Sequence, residues 1–366
     1  MKQRIRVSFF GSSLVSAYWN GAATYYRGIT RALDSLGYEI TFFEPDAYDR
    51  QMHRDILSPS WAKVRVFEAN RGGVLQALKE ASEADIIIKA SGVGVFDEFL
   101  EEAVLELRRP GVKAVFWDVD APATLDRVNG NGNDPFLKLI PEYDLILTYG
   151  GGRPVIDAYD MLGAKGCVPI YNALDPDSHY PVAAEERYRC DLGFIGNRLP
   201  DRESRVWEFF FNAAAGSPDR GFILGGNGWD GTGLPNVKYI GHVYTRDHNA
   251  FNCSARAVLN VNRESMARYG FSPPTRIFEA AGAGACIITD EWEGIELFLK
   301  PGKEVLVAKD GHGVAECLKR LTPGEAASIG RAAFERILGS HTYAHRAKAL
   351  DRLFSTEFRA NVPTGC

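Results

Sequence analysis

The sequence has little that would take it out of water. No window approaches the roughly 18 apolar residues of a membrane span, and the basic start leads into only about five apolar residues before Gly11, too few for a signal-peptide core. The six cysteines (Cys167, Cys190, Cys253, Cys286, Cys317, Cys366) form no CxxC pair, and several lie in apolar runs, so reduced thiols in a cytoplasmic protein are expected. Among seven histidines there is no HExxH motif, and the one pair four apart, His341 and His345, sits near the chain end; no metal site is expected. The loop after the first strand, Phe10-Gly11-Ser12-Ser13, lacks both the GxGxxG and the GxxxxGK[ST] spacing, which weighs against NAD and ATP. Positive charge is not in excess: 42 basic against 47 acidic side chains give a net charge of -5, so no nucleic-acid partner is expected.

What is present is an ordinary globular composition, 45% apolar and 24% charged, over 366 residues, which is long enough for two domains. Short continuous apolar runs recur at 5–10, 39–43, 64–67, 85–89, 114–117, 145–149 and 167–171, with helical pattern between them. Continuous rather than alternating runs fit strands covered on both faces, as in a parallel sheet. A turn-rich stretch at 172–181 follows, and strand-like runs resume at 191–195, 221–224, 237–240, 257–261, 285–289 and 304–307. The expected architecture is α/β, two Rossmann-like domains facing across a cleft. A first Rossmann-like domain is expected over 1–175, a second over 176–345, and a helix and tail over 346–366 that packs back on the first; the end at 360–366 is expected to fray.

The strongest local signal is Ser272-Pro273-Pro274-Thr275-Arg276-Ile277-Phe278-Glu279, where prolines open a helix whose free amides and positive dipole end suit a diphosphate. Arg276 and Glu279 are three apart and share a helix face, a cation for phosphate and a carboxylate for a ribose diol. An ordinary surface ion pair is the competing reading. Arg198 and Arg202 follow a predicted strand and a glycine, from which a guanidinium can reach a phosphate, although both also suit a polar surface loop. In the first domain Gly11 and Ser12 form a weak glycine loop after the first strand. Asp118 and Asp120 stand at a strand end, where a carboxylate can act as general base toward an acceptor hydroxyl or simply start a turn. Asp120 ranks first because it lies farther past the strand.

Several motifs occur together in one order: DLGFIGNR at 191–198 with Pro200-Asp201-Arg202, GGNGW at 225–229, VKYIGHV at 237–243, RIFEAAGAG at 276–284 and HTYAHR at 341–346. In this the chain resembles the GT-B glycosyltransferases, and among them proteins similar to the spore maturation protein CgeB, over nearly its whole length. The resemblance implies a metal-independent glycosyltransferase using a UDP-, GDP- or dTDP-sugar, with no separate cofactor, and an acceptor that is a glycan, protein or small molecule. It implies that Glu279 holds the ribose hydroxyls, that the turn Gly241-His242-Val243 lies against the base, and that amides near Ser272 approach the diphosphate. Asn197, Gly226, Trp229 and Thr275 join the donor set. Many retaining members carry a second glutamate eight residues before the ribose-binding one; here that position is Phe271. A non-catalytic protein of the same fold and a sugar-nucleotide epimerase are the alternatives.

Overall fold

A computed structural model describes residues 4–359 apart from Thr232, with the backbone alone at 356–359. The stretch 360–366, expected to fray, lies outside the described residues. The chain divides into two compact units, Asn172–Thr342 and a first unit made of the residues up to Tyr171 together with those from Tyr343 onward.

The first unit holds one sheet of seven parallel strands: β1 (Arg6–Phe10), β2 (Glu39–Asp46), β3 (Lys63–Glu68), β4 (Ile86–Ala90), β5 (Lys113–Asp118), β6 (Leu145–Thr148) and β7 (Cys167–Pro169), in the order β3-β2-β1-β4-β5-β6-β7. Every expected run of this half is a strand. The central β4 is buried along its whole length, whereas β3, at the edge, exposes most of its residues, as a half-covered edge should. The chain steps outward from β1 to β3 and then crosses to β4, so the strand order reverses between β1 and β4.

The second unit repeats the scheme with six parallel strands: β8 (Cys190–Ile195), β9 (Phe222–Gly225), β10 (Val237–Tyr239), β11 (Ala255–Asn260), β12 (Ile287–Asp290) and β13 (Leu306–Ala308), ordered β10-β9-β8-β11-β12-β13. Its reversal falls between β8 and β11. Two parallel sheets with a reversal in each are the Rossmann-like pair expected from the sequence. The core of this unit joins Leu192, Phe194 and Leu259 of the sheet to Val206 and Phe209–Phe211 of the helical run that follows β8. That run passes through a π-helical turn at Trp207–Phe211, which turns three consecutive phenylalanines inward.

The closing helix Tyr343–Arg359 packs on the helix Ala23–Ser35. The Tyr38 hydroxyl donates to Asp351 at 2.9 Å, and Arg346 Nε donates to the Tyr171 carbonyl at 3.1 Å. Close approach depends on Gly28, where a Cβ would stand 2.1 Å from the Tyr343 ring. Alanine is the better helix former by about 1 kcal/mol, yet here it must push the ring aside. Gly28→Ala is therefore expected to lower stability by about 1–3 kcal/mol in urea unfolding; a gain would show that the helices give way freely.

Candidate functional site

The polar groups of the second unit gather where β8 and β11 end, at the reversal of strand order, the place where open α/β sheets bind ligands. Arg276 spans that gap. Its Nε donates to the Ile195 carbonyl at the end of β8 (3.0 Å), its Nη1 donates to Asn260 Oδ1 at the end of β11 (3.0 Å), and the guanidinium lies 5.0 Å over the Phe194 ring. Among the described residues no carboxylate comes within ion-pair distance of it. Desolvation, with the positive charge of Arg202 second and Glu279 and Asp290 opposing, pushes its pKa down to about 9. An arginine keeps its charge at neutral pH even so. The site thus holds a charged, poorly compensated guanidinium, which an anion would relieve.

The helix Thr275–Gly282 that carries Arg276 starts at Pro274 without a side-chain cap, so its first amides are not claimed by a capping side chain. Just before it, Ser272 is buried and its Oγ has no hydrogen-bond partner. Thr275, the first helical residue, is half-buried beside these groups. Asn172 Nδ2 donates to the Pro273 carbonyl (3.2 Å) and fixes the approach to the helix. Phe271 sits in the left-handed region, φ 46, with its amide donating to the Glu293 carbonyl at 2.6 Å. One turn after Arg276 stands Glu279, half-buried, whose carboxylate makes no hydrogen bond or ion pair with any described residue. A shared helix face carries the pair, as expected, but they do not bond to one another.

Three loops from neighbouring strand ends are sewn together by main chain. Gly196 N donates to Gly225 O (2.9 Å), Gly226 N to Gly241 O (2.7 Å) and Arg198 N to Asn227 O (2.9 Å), while Asn197 Oδ1 accepts from Asn227 N (3.0 Å). Gly226, at φ 118, has no room for a side chain, since a Cβ would fall 2.2 Å from the Gly196 carbonyl oxygen. In the last of these loops His242 is exposed, with its ring edge-on to Tyr244 at 4.7 Å, and Val243 is buried over Gly225. Arg202 places its Nη1 3.1 Å from where a Cβ on Gly196 would be, beneath the first loop and close enough to Arg276 to act on its pKa.

Three candidates are placed otherwise than the sequence suggested. Trp229 is wholly buried, donates from Nε1 to the Gly196 carbonyl (2.7 Å) and props the loop from behind, so its ring offers no face to a base. Arg198 turns outward to Glu203 (2.5 Å), an exposed pair, and would have to leave it to meet a phosphate. Asp118 is fully buried and accepts from Ser91 Oγ (2.8 Å), Thr124 Oγ1 (2.9 Å), Tyr159 OH (2.6 Å) and the Asp120 amide (3.1 Å). Four donors satisfy that carboxylate and hold the end of β5; it does not face solvent.

Asp120, in the same unit, is half-buried at the start of the helix Ala121–Gly130, and its side chain makes no capping bond there. Gly11 is required by packing, a Cβ falling 2.5 Å from the Phe42 ring, and Ser12 Oγ donates to Asn20 Oδ1 (2.9 Å) inside its loop. The organiser of that loop is a residue the sequence did not single out. Glu44 is fully buried and accepts from the Leu14 amide (2.6 Å), Ser13 Oγ (3.1 Å) and Gln51 Nε2 (2.7 Å).

The sequence profile of a family described as glycosyl transferase-like matches residues 202–352. No curated protein matches the sequence. Among solved structures, sucrose-phosphate synthase from Thermosynechococcus elongatus is similar at TM-score 0.70 and 14% identity over 98% of this chain and 100% of that one. Anabaena HepE, solved with UDP-glucose, is similar at TM-score 0.67 and 14% identity over 96% and 100%. T4 phage BGT with its UDP-glucose substrate follows at TM-score 0.60 and 11% identity over 96% and 99%. The fold is that of the GT-B glycosyltransferases. The profile match takes in Arg202, Arg276 and Glu279 and ends inside the helix Tyr343–Arg359.

Two further groups near Arg276 and Glu279 have no signal in the sequence. Asp290, buried at the end of β12, accepts from Arg205 (2.6 Å) and from the Asn262 amide (3.2 Å), and ties the helix Pro200–Val206 to the loop after β11. Burial raises its pKa, and Arg205 is the first of the groups opposing this. His179, His248 and Glu279 come together from three segments, with one ligand atom of each lying within 4.8 Å of the others. No linear spacing announces that trio.

Removing Arg205 strands the Asp290 carboxylate. Arg205→Ala should cost about 3 kcal/mol near neutral pH. A carboxyl whose folded pKa rises keeps its stability contribution at low pH and loses it as pH climbs through that value. The deficit of the variant should therefore shrink as pH falls through the carboxylate range; a constant deficit would mean that Asp290 is not its source.

Proposed function

We propose that this protein transfers a sugar from a nucleoside diphosphate to an acceptor hydroxyl. One observation carries the reading: on a single uncapped helix start at the strand reversal, Arg276 presents a charge with no carboxylate partner and Glu279 follows one turn later with its carboxylate unengaged. A diphosphate suits the guanidinium and first amides, and the two ribose hydroxyls suit the carboxylate, which accepts a hydrogen bond from each. The Gly241-His242-Val243 turn would take the base. UDP-glucose in the HepE and T4 phage structures supports trying uridine donors first.

Chemically, the reaction needs the departing diphosphate's charge met as the glycosidic bond breaks. Arg276, Arg202 and the helix amides supply that, in a metal-independent step. Asp120 is the general base that takes the acceptor's proton, and Asp118 fixes the strand end behind it. The order of motifs supports a CgeB-like member of the GT-B group. The described cysteines are all free thiols, which accords with a cytoplasmic protein. Phe271, where a glutamate would contact the donor sugar, keeps a donor-binding protein without turnover as the second reading; release of free sugar from the donor separates the two.

Two measurements test the assignment. Glu279→Ala should weaken UDP, GDP or dTDP binding in calorimetry by about 1–3 kcal/mol, the cost of a lost charged hydrogen-bond partner, and unchanged affinity for all three would sink the ribose role. Asp120→Asn should leave donor binding intact and slow transfer by about 10²–10⁴-fold, the usual worth of a general base.

A further inference from the structure

His179 is 3% exposed, and its Nε2 has no hydrogen-bond partner. A buried polar atom left open calls for a ligand or an ordered water. His179 lies on a turn closed by its own amide donating to Asp175 O (3.0 Å), and Asn249 Nδ2 donates to Ser178 O (3.0 Å), which ties that turn to the helix Thr245–Ser254. The same helix carries His248, whose Nε2 is 3.3 Å from the Val243 carbonyl. A carbonyl only accepts, so the proton sits on Nε2 and the other ring nitrogen keeps its lone pair. Metal-binding histidines are oriented in this way, by a backbone carbonyl behind the ring.

We propose that one zinc-class divalent ion binds between His179, His248 and Glu279, and that it excludes the donor's ribose from Glu279. Two imidazoles and one carboxylate suit zinc better than magnesium or calcium, which want oxygen alone. Tetrahedral ligands at about 2.0–2.1 Å from the metal stand about 3.3 Å apart, so side chains now within 4.8 Å of one another close by at most about 1.5 Å. Three protein ligands leave a fourth position to water. The exclusion rests on the ribose reading of Glu279; the metal site itself does not. The ion serves no chemical step here. It makes donor binding sensitive to free zinc.

The test is calorimetric titration of the whole protein with zinc chloride near neutral pH. One ion should bind, and His179→Gln and His248→Gln should each weaken it by at least about tenfold, since even outer partners of a metal ligand are worth 10–100-fold. Cobalt in place of zinc should show tetrahedral visible bands without the thiolate charge-transfer band of a cysteine site. Zinc affinity equal in wild type and His248→Gln, or a thiolate band, overturns the site. His248 is half-exposed, so its variant carries the test should the His179 variant melt early by circular dichroism. Uridine and guanosine, which bring a ribose diol but no chelating diphosphate, should weaken zinc binding. If neither does while the variants behave as stated, the exclusion is overturned together with the ribose role of Glu279, and the metal site stands.

Discussion

The second unit depends on one side chain bridging a gap that its sheet cannot close. Where the strand order reverses, β8 and β11 pair over part of their length and then diverge, and Arg276 fills the opening by donating to Ile195 O on one side and Asn260 on the other. A neutral side chain could bond as well, but only a guanidinium reaches both while leaving a formal charge behind. That charge is partly desolvated and has Arg202 as a like-charged neighbour, an arrangement that costs stability unless an anion arrives. Binding and folding thus pull against each other at this residue.

Much of the fold was legible because each strand is a continuous apolar run flanked by helical pattern, a signal that comes from burial on both faces. Edge strands blurred the least where β-branched residues remained, as in β3 and β10. The helix face holding Arg276 and Glu279 was legible too, since a spacing of three fixes it. What could not be read was the destination of polar groups. Asp118 and Trp229 carry the right chemistry for a site and face inward, because four donors and a carbonyl happen to wait for them there. Glu44 and Asp290 hold two loops in place, and nothing in their neighbours along the chain marks them. His179 and His248 meet only because Asn249 ties two distant segments.

Strain follows the same geography. Every described non-glycine residue at positive φ lies in a loop beyond the carboxyl end of a strand: Trp19 after β1, Tyr48 and Asp49 after β2, Phe96 after β4 and Phe271 after β11. Such conformations cost about 1–3 kcal/mol each and persist where the surroundings over-determine them. The amino ends of the strands carry none. Both sheets therefore keep their distorted backbone beyond the carboxyl ends of their strands, the side on which open α/β sheets as a class bind ligands.

The glycine loops of the second unit meet main chain to main chain, with Gly226 against the Gly196 carbonyl and bonded to Gly241. Contacts of that kind do not depend on which side chains stand nearby. The three loops are in effect a fixed frame whose outline is set by main chain, and the side chains that stand clear of it, His242 first, can change without disturbing that outline. Under the donor reading proposed above, changing donor choice is a matter of repainting one exposed turn rather than rebuilding a loop.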